Sequence, residues 1–130
     1  FVLISKDDHS SVKFNRSLEI NYGLRNFIGN ANKFSNYTVE VIIKSNERFS
    51  EVIIKDDGPG FPEDIIDKLG QPYISSLSNK DKSKTGLGLG TFIGKTLLEK
   101  NNAKVEFKNI KKNKGAQVKI VWSNEDLKKI

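Results

Sequence analysis

The chain has 130 residues, 36% of them hydrophobic and 29% charged, with a formal net charge of +6. That length and balance suit one globular domain around one core and leave no room for two comfortable ones. There is no cysteine and the single histidine is His9, which excludes disulfides, thiolate metal sites and a self-contained zinc centre.

No run approaches the roughly 20 apolar residues of a membrane-spanning helix. Phe1-Val2-Leu3-Ile4 is too short, and too soon followed by charge, to be a signal peptide. The expectation is a domain without membrane contact. Its positive charge invites a nucleic-acid partner. The lysines, however, are dispersed or gathered at Lys80 to Lys84 and Lys111 to Lys114, without the interleaved aromatics that stack bases. A surface bias is the plainer reading, and no nucleic acid is expected.

In chain order, Ile20, Leu24, Phe27, Ile28, Ala31 and Phe34 form one apolar stripe and predict an amphipathic helix over residues 17 to 35. Thr38 to Lys44 and Glu51 to Lys55 are β-branched runs joined by Asn46-Glu47-Arg48, the pattern of an antiparallel strand pair. Pro62, followed by Glu63 and Asp64, reads as the start of a short helix that Gly70 stops. Ser75 to Thr85 is polar, lysine-rich and without period, as in a surface loop. A helix is expected from about Thr91 to Lys100, then strands near Lys104 to Lys108 and Gln117 to Trp122, with Gly115 in the turn between. The tail after Ser123 either frays or begins a terminal helix. Strand pairs mixed with helices, without regular βαβ alternation, imply an α+β, two-layer α/β sandwich with helices on one face of a mixed sheet.

Three polar constellations stand out. Asn26, Asn30 and Lys33 share a face of the first helix, about 135° from the apolar stripe by the helical repeat. A carboxamide oxygen there suits a hard cation such as Mg²⁺, and a lysine one turn on suits phosphate; the same three residues also suit a merely solvated face. Asp56-Asp57-Gly58-Pro59-Gly60 ends an apolar strand, where a carboxylate can accept from an exocyclic amine and glycines admit a flat ring. Alone, it reads as an ordinary turn. Thr85-Gly86-Leu87-Gly88-Leu89-Gly90 opens a helix and offers backbone amides to an anion. It is neither a Walker loop nor a dinucleotide fingerprint, because the lysine of the first and the strand and spacing of the second are missing.

The order of these boxes, with a polar lid between the last two, resembles the GHKL ATP-binding domain of histidine kinases, over about Leu18 to Trp122. Its N, G1 and G2 boxes match Asn26 to Phe34, Asp56 to Gly60 and Gly86 to Gly90. The strings Asp-Asp-Gly-Pro-Gly-Phe, Gly-Gln-Pro-Tyr-Ile-Ser-Ser and Gly-Ala-Gln-Val-Lys-Ile-Val-Trp are further similar to the redox-responsive RegB, PrrB and ActS branch. Gly29, where the family often carries an acid, and Gln71, where that branch often carries Glu, depart from the pattern.

The resemblance implies ATP and Mg²⁺ as cofactors. Asp56 would bond the adenine amine, with Gly58 and Gly60 beside the ring. Asn30 would be the metal ligand, with Asn26 and Lys33 in support. Thr85, Gly86, Leu87, Gly88, Leu89 and Gly90 would close over the phosphates. Tyr73 would be a lid hinge or simply core. The implied partners are the histidine-bearing dimerisation helices of the same kinase and, through the parent protein, a response regulator. The isolated domain is expected to be monomeric, in the cytoplasm beneath a bacterial inner membrane. His9 sits in a polar stretch unlike an acceptor helix, so no autophosphorylation is expected of this chain alone. Asn26 replaces the glutamate base of gyrase-like and MutL-like relatives and cannot deprotonate water at neutral pH. An anti-sigma-type serine kinase on the same fold, and an interaction domain that has lost nucleotide, remain alternatives.

Overall fold

The computed structural model describes residues 2–8, 13–63, 66–69, 89–111 and 114–130, with only the backbone of residues 2–8 and 89. Five strands form one sheet: β1 (Val2–Asp8), β2 (Val39–Ser45), β3 (Phe49–Asp56), β4 (Lys104–Asn109) and β5 (Ala116–Ser123), in the order β1-β2-β3-β5-β4. β1 runs parallel to β2 and the other pairs are antiparallel, so the sheet is mixed as expected.

Strand alternation sorts the sheet into two faces. Val41 lies opposite Ile54, Ile54 opposite Val118, and Val105 opposite Ile120, and these buried residues form the inner face. Lys119 and Glu51, paired at 3.6 Å, lie on the other face. Helix α1 (Leu18–Phe34) sets Ile20, Phe27 and Ala31 against the inner face, and α2 (Leu89–Lys100) adds Leu98, which is fully buried. Ser17 caps α1 by accepting from the Ile20 amide at 3.2 Å, satisfying one of the free N–H groups of the first turn. The two helices touch at Gly23, where a Cβ would stand 2.6 Å from Leu98 Cγ and 3.1 Å from the Gly94 carbonyl. Where α1 begins and α2 ends, Lys100 Nζ and Asn101 Nδ2 donate to Glu19 at 2.9 and 3.4 Å and hold its carboxyl below the ordinary value.

Two expectations change. β1 occupies a segment to which sequence patterning assigned no strand; a four-residue apolar run followed by charge has no readable period, and its pairing with β2 is a tertiary event. Instead of a short helix from Pro62, the described residues contain a single 3-10 turn at Ile66–Lys68. The tail resolves as helix α3 (Asn124–Lys128), capped by Ser123, which accepts from the Asp126 amide at 3.2 Å. Asn124 ties it to the β2–β3 turn, accepting from Ser50 Oγ and donating to the Asn46 carbonyl, both at 2.7 Å.

Candidate nucleotide site

Between α1, the start of α2 and the far ends of β3, β4 and β5 lies a cavity of about 290 Å³. Its inner wall is apolar. Phe27, Ala31, Ile54 and Val118 line it, and Phe107 joins Phe27 and Phe61 through edge-to-face contacts at 5.7 and 5.8 Å. Asp56, Asn30, Thr91 and Asn109 bring polar atoms to this lining. A slot of flat apolar walls with a few fixed polar groups is the form of a small-molecule site.

Of the two adjacent acids, Asp56 faces the cavity because it shares the inner side of β3 with Ile54, two residues earlier. Its Oδ1 accepts from the amides of Gly58 at 2.8 Å and Ala116 at 3.4 Å, while Oδ2 has no partner among the described residues. Burial raises the carboxyl above its ordinary value, the negative charge of Asp57 adds to the rise, and the two amides oppose it. One carboxylate oxygen is thus pinned and the other is offered to whatever fills the slot. Asp57 turns the other way. Its carboxylate accepts the amides of Asn36, Tyr37 and Thr38 at 2.8 to 3.1 Å, and Asn36 Nδ2 donates back to the Asp57 carbonyl at 2.9 Å. Those amide bonds, Tyr37 foremost, hold its carboxyl below the ordinary value. Asp57 therefore staples the α1–β2 turn to the end of β3, a role that sequence reading left unassigned although strand alternation from Ile54 separates the two acids.

The glycines that follow are required by contact. A Cβ on Gly58 would collide with the Phe34 carbonyl, so this glycine lets β3 pass beneath the end of α1. Gly60 has φ +86°, open to glycine and strained for other residues. Beside it Asn109 forms a two-point clamp, accepting from the Phe61 amide at 2.7 Å and donating to the Phe61 carbonyl at 2.9 Å. This holds Pro59, Gly60 and Phe61 as a wall of the cavity. The contact spans 48 residues of chain, and no local signal marks Asn109.

On α1, Asn30 lines the cavity and its Nδ2 donates to Asn26 Oδ1 and to Thr91 Oγ1, each at 3.3 Å. Asn26 stands one turn behind, close enough to α2 that a Cβ on Gly90 would lie 3.0 Å from its Nδ2. Lys33 is exposed and outside the cavity lining, with its ammonium 5.5 Å above the ring of Phe34, which does line it. Asp56, Gly60 and Asn30 are thus brought to one cavity, with Gly58, Asn26 and Gly90 in support. Leu89 opens α2. Thr85, Gly86, Leu87 and Gly88, together with His9, Gln71 and Tyr73, lie outside the described residues.

Asn30 Oδ1 is a hard ligand atom in the lining of the slot, with no bonding partner among the described residues. No group of three or more acidic or histidine side chains that could hold a metal by itself occurs there either. One carboxamide oxygen fits Mg²⁺, which takes few protein ligands and keeps water and phosphate oxygens.

A helix layer on one face of a mixed sheet, with a carboxylate and an asparagine lining one largely apolar slot, is the arrangement of an ATPase domain of the GHKL type. Residues 16–126 match the family described as histidine kinase-, DNA gyrase B- and HSP90-like ATPases, and the chain belongs to that family, as a histidine kinase ATPase domain. The sensor histidine kinase RegB of Cereibacter sphaeroides is 33% identical over 122 residues, covering 82% of this chain and 26% of that kinase. Sporulation kinase A of Bacillus subtilis is 42% identical over 52 residues, 40% of this chain and 8% of that protein. Among solved structures, the catalytic domain of histidine kinase ThkA superposes with a TM-score of 0.73 at 19% identity, covering 95% of this chain and 80% of that one. Full-length ShkA in complex with AMPPNP superposes at 0.70 with 20% identity, covering 93% of this chain and 25% of that one. The chain thus spans about a quarter of the length of its RegB relative.

Proposed function

We propose that this domain binds Mg-ATP and donates the γ-phosphoryl group to a histidine on the dimerisation helices of a two-component sensor kinase, from which a response regulator takes it. The observation that carries the reading is the pairing, in one largely apolar cavity, of Asp56 Oδ2 with Asn30 Oδ1, neither of which has a partner among the described residues. A carboxylate accepts from the 6-amino group of adenine and repels the carbonyl that guanine carries there. The phenyl rings of Phe27, Phe61 and Phe107 supply a dry enclosure for the base. Asn30 would hold Mg²⁺, which when bound neutralises charge on the phosphates.

Phosphoryl transfer needs positioning and charge stabilisation rather than a protein nucleophile. A ring nitrogen of the acceptor histidine forms the new N–P bond as the bond from the γ-phosphorus to the bridging oxygen breaks, and ADP leaves. Asn26, which cannot act as a base, favours transfer over hydrolysis. The parent protein is read as a bacterial inner-membrane kinase with this domain in the cytoplasm, and among the described residues no helix is long and apolar enough to cross a membrane. Kinship with RegB suggests a redox stimulus; with no cysteine in the chain, thiol-based sensing would sit outside these residues.

Calorimetric titration of ADP and a non-hydrolysable ATP analogue, with and without Mg²⁺, tests the reading. Saturable adenine-selective binding that tightens with Mg²⁺ is expected, and absence of binding by a folded chain refutes it. Labelling of a histidine-bearing dimerisation domain by an acid-labile phosphate is the second expected result, since phosphoserine survives acid.

A further inference from the structure

Thr91 is a polar side chain in a dry place. It is the third residue of α2, 1% exposed, and it lines the nucleotide cavity beside Asn30. A hydroxyl buried to that degree is unfavourable unless it is hydrogen-bonded, and an aliphatic side chain of similar shape would fill the same wall without that penalty. The bond it makes is with Asn30, whose Nδ2 donates to Thr91 Oγ1 at 3.3 Å. Asn26 Oδ1 accepts from the same nitrogen at 3.3 Å. The site is local to the helix junction, because Gly90, with no side chain, lets the first turn of α2 approach the α1 amides.

A carboxamide has a donor end and an acceptor end of nearly the same shape, so what it shows a ligand depends on what holds its other end. Around Asn30 both neighbours engage the nitrogen, Asn26 through its amide oxygen and Thr91 through its hydroxyl, while Oδ1 has no partner among the described residues. We infer that Thr91 is a positioning residue for the cation site: by bonding the Asn30 amide from α2, it holds that side chain in the observed arrangement, with the oxygen left for the cation. In the reversed orientation two N–H dipoles would face Mg²⁺ and repel it. Asn26 holds the amide from the same helix only; Thr91 adds a contact from α2 and so restrains the side chain from swinging away from the cavity. This inference rests on the reading of Asn30 as the cation ligand.

The test is calorimetric titration of ADP into the full chain, with and without Mg²⁺, for the wild type, Thr91→Val and Thr91→Ser. The quantity read is the ratio of the two affinities. Thr91→Val is expected to lower that ratio roughly three- to tenfold, the range set by the loss of a hydrogen bond, and Thr91→Ser to restore it. A spectroscopic readout needs no nucleotide: the Asn30 side-chain NH2 signals, identified by their loss in Asn30→Asp, should shift in Thr91→Val and stay near their wild-type position in Thr91→Ser. A wild-type ratio in Thr91→Val overturns the inference and leaves the Asn30 reading intact. A wild type whose affinity ignores Mg²⁺ overturns both. Equal weakening with and without Mg²⁺ makes Thr91 a packing residue and also overturns the inference. If Thr91→Val does not fold, Thr91→Ala is compared with Thr91→Ser by the same ratio.

Discussion

Replacing Asp56 by Asn separates the demands of folding from those of binding. The pinned oxygen can stay: Asn Oδ1 accepts from Gly58 and Ala116 as the carboxylate does, at distances now 2.8 and 3.4 Å. What changes is the free atom, which becomes an NH2 facing the amine of adenine, donor against donor. Losing a hydrogen bond to a charged acceptor removes about 1.5–3 kcal/mol, so ADP should bind roughly 10- to 150-fold more weakly. Stability should move the other way, because burial raises the Asp56 carboxyl above its ordinary value. A raised carboxyl destabilises the folded chain at neutral pH, and the penalty fades as pH falls through the raised value toward that of the unfolded chain. Asp56→Asn should therefore melt at or above the wild-type temperature near pH 7, and the difference should close in acid. Calorimetry for binding and thermal melts across the acid range make the check. A variant that binds ADP as the wild type does, or that melts well below it, would refute the reasoning.

The neighbouring acid should show the opposite sign. The Asp57 carboxyl is held below its ordinary value by the Tyr37, Thr38 and Asn36 amides, so it contributes stability above the unfolded value that is lost as pH falls through the folded one; Asp57→Asn should be less stable at neutral pH, with a deficit that shrinks on acidification in the same melts. Asn109→Ala strips both partners from the Phe61 backbone; urea denaturation should register a loss of roughly 1–3 kcal/mol, accompanied by weaker ADP binding as the Pro59 to Phe61 wall loosens. Gly29 faces open space, with nothing within 4 Å of an added Cβ, so Gly29→Ala should raise the urea midpoint, gaining roughly 0.5–1 kcal/mol with nucleotide affinity unchanged. Gly23→Ala, whose Cβ would press on Leu98, should cost about 1–3 kcal/mol instead, and equal effects at the two glycines would contradict the helix-contact argument.

The sequence by itself determined the elements that carry a strong period. The α1 stripe from Ile20 to Phe34, the β-branched runs of β2 and β3 and the alternation of β5 are written in side-chain spacing, because burial on one face imposes it. The three polar boxes were legible for a related reason: glycines and short polar side chains at fixed spacing reflect backbone that must pass close to something. Tertiary structure alone decided the rest. β1 has no period of its own and becomes a strand by pairing with β2. Asn109 and Thr91 look like ordinary polar residues in sequence, and they acquire roles only when folding brings Phe61 and Asn30, 48 and 61 positions away, against them. Lys33, on the expected helix face, remained outside the cavity lining because its stem carries the ammonium over Phe34 rather than inward. Spacing along one helix or strand is a local property that a sequence displays; how firmly a side chain is held at a cavity depends on partners contributed by another element, and only the folded chain supplies them.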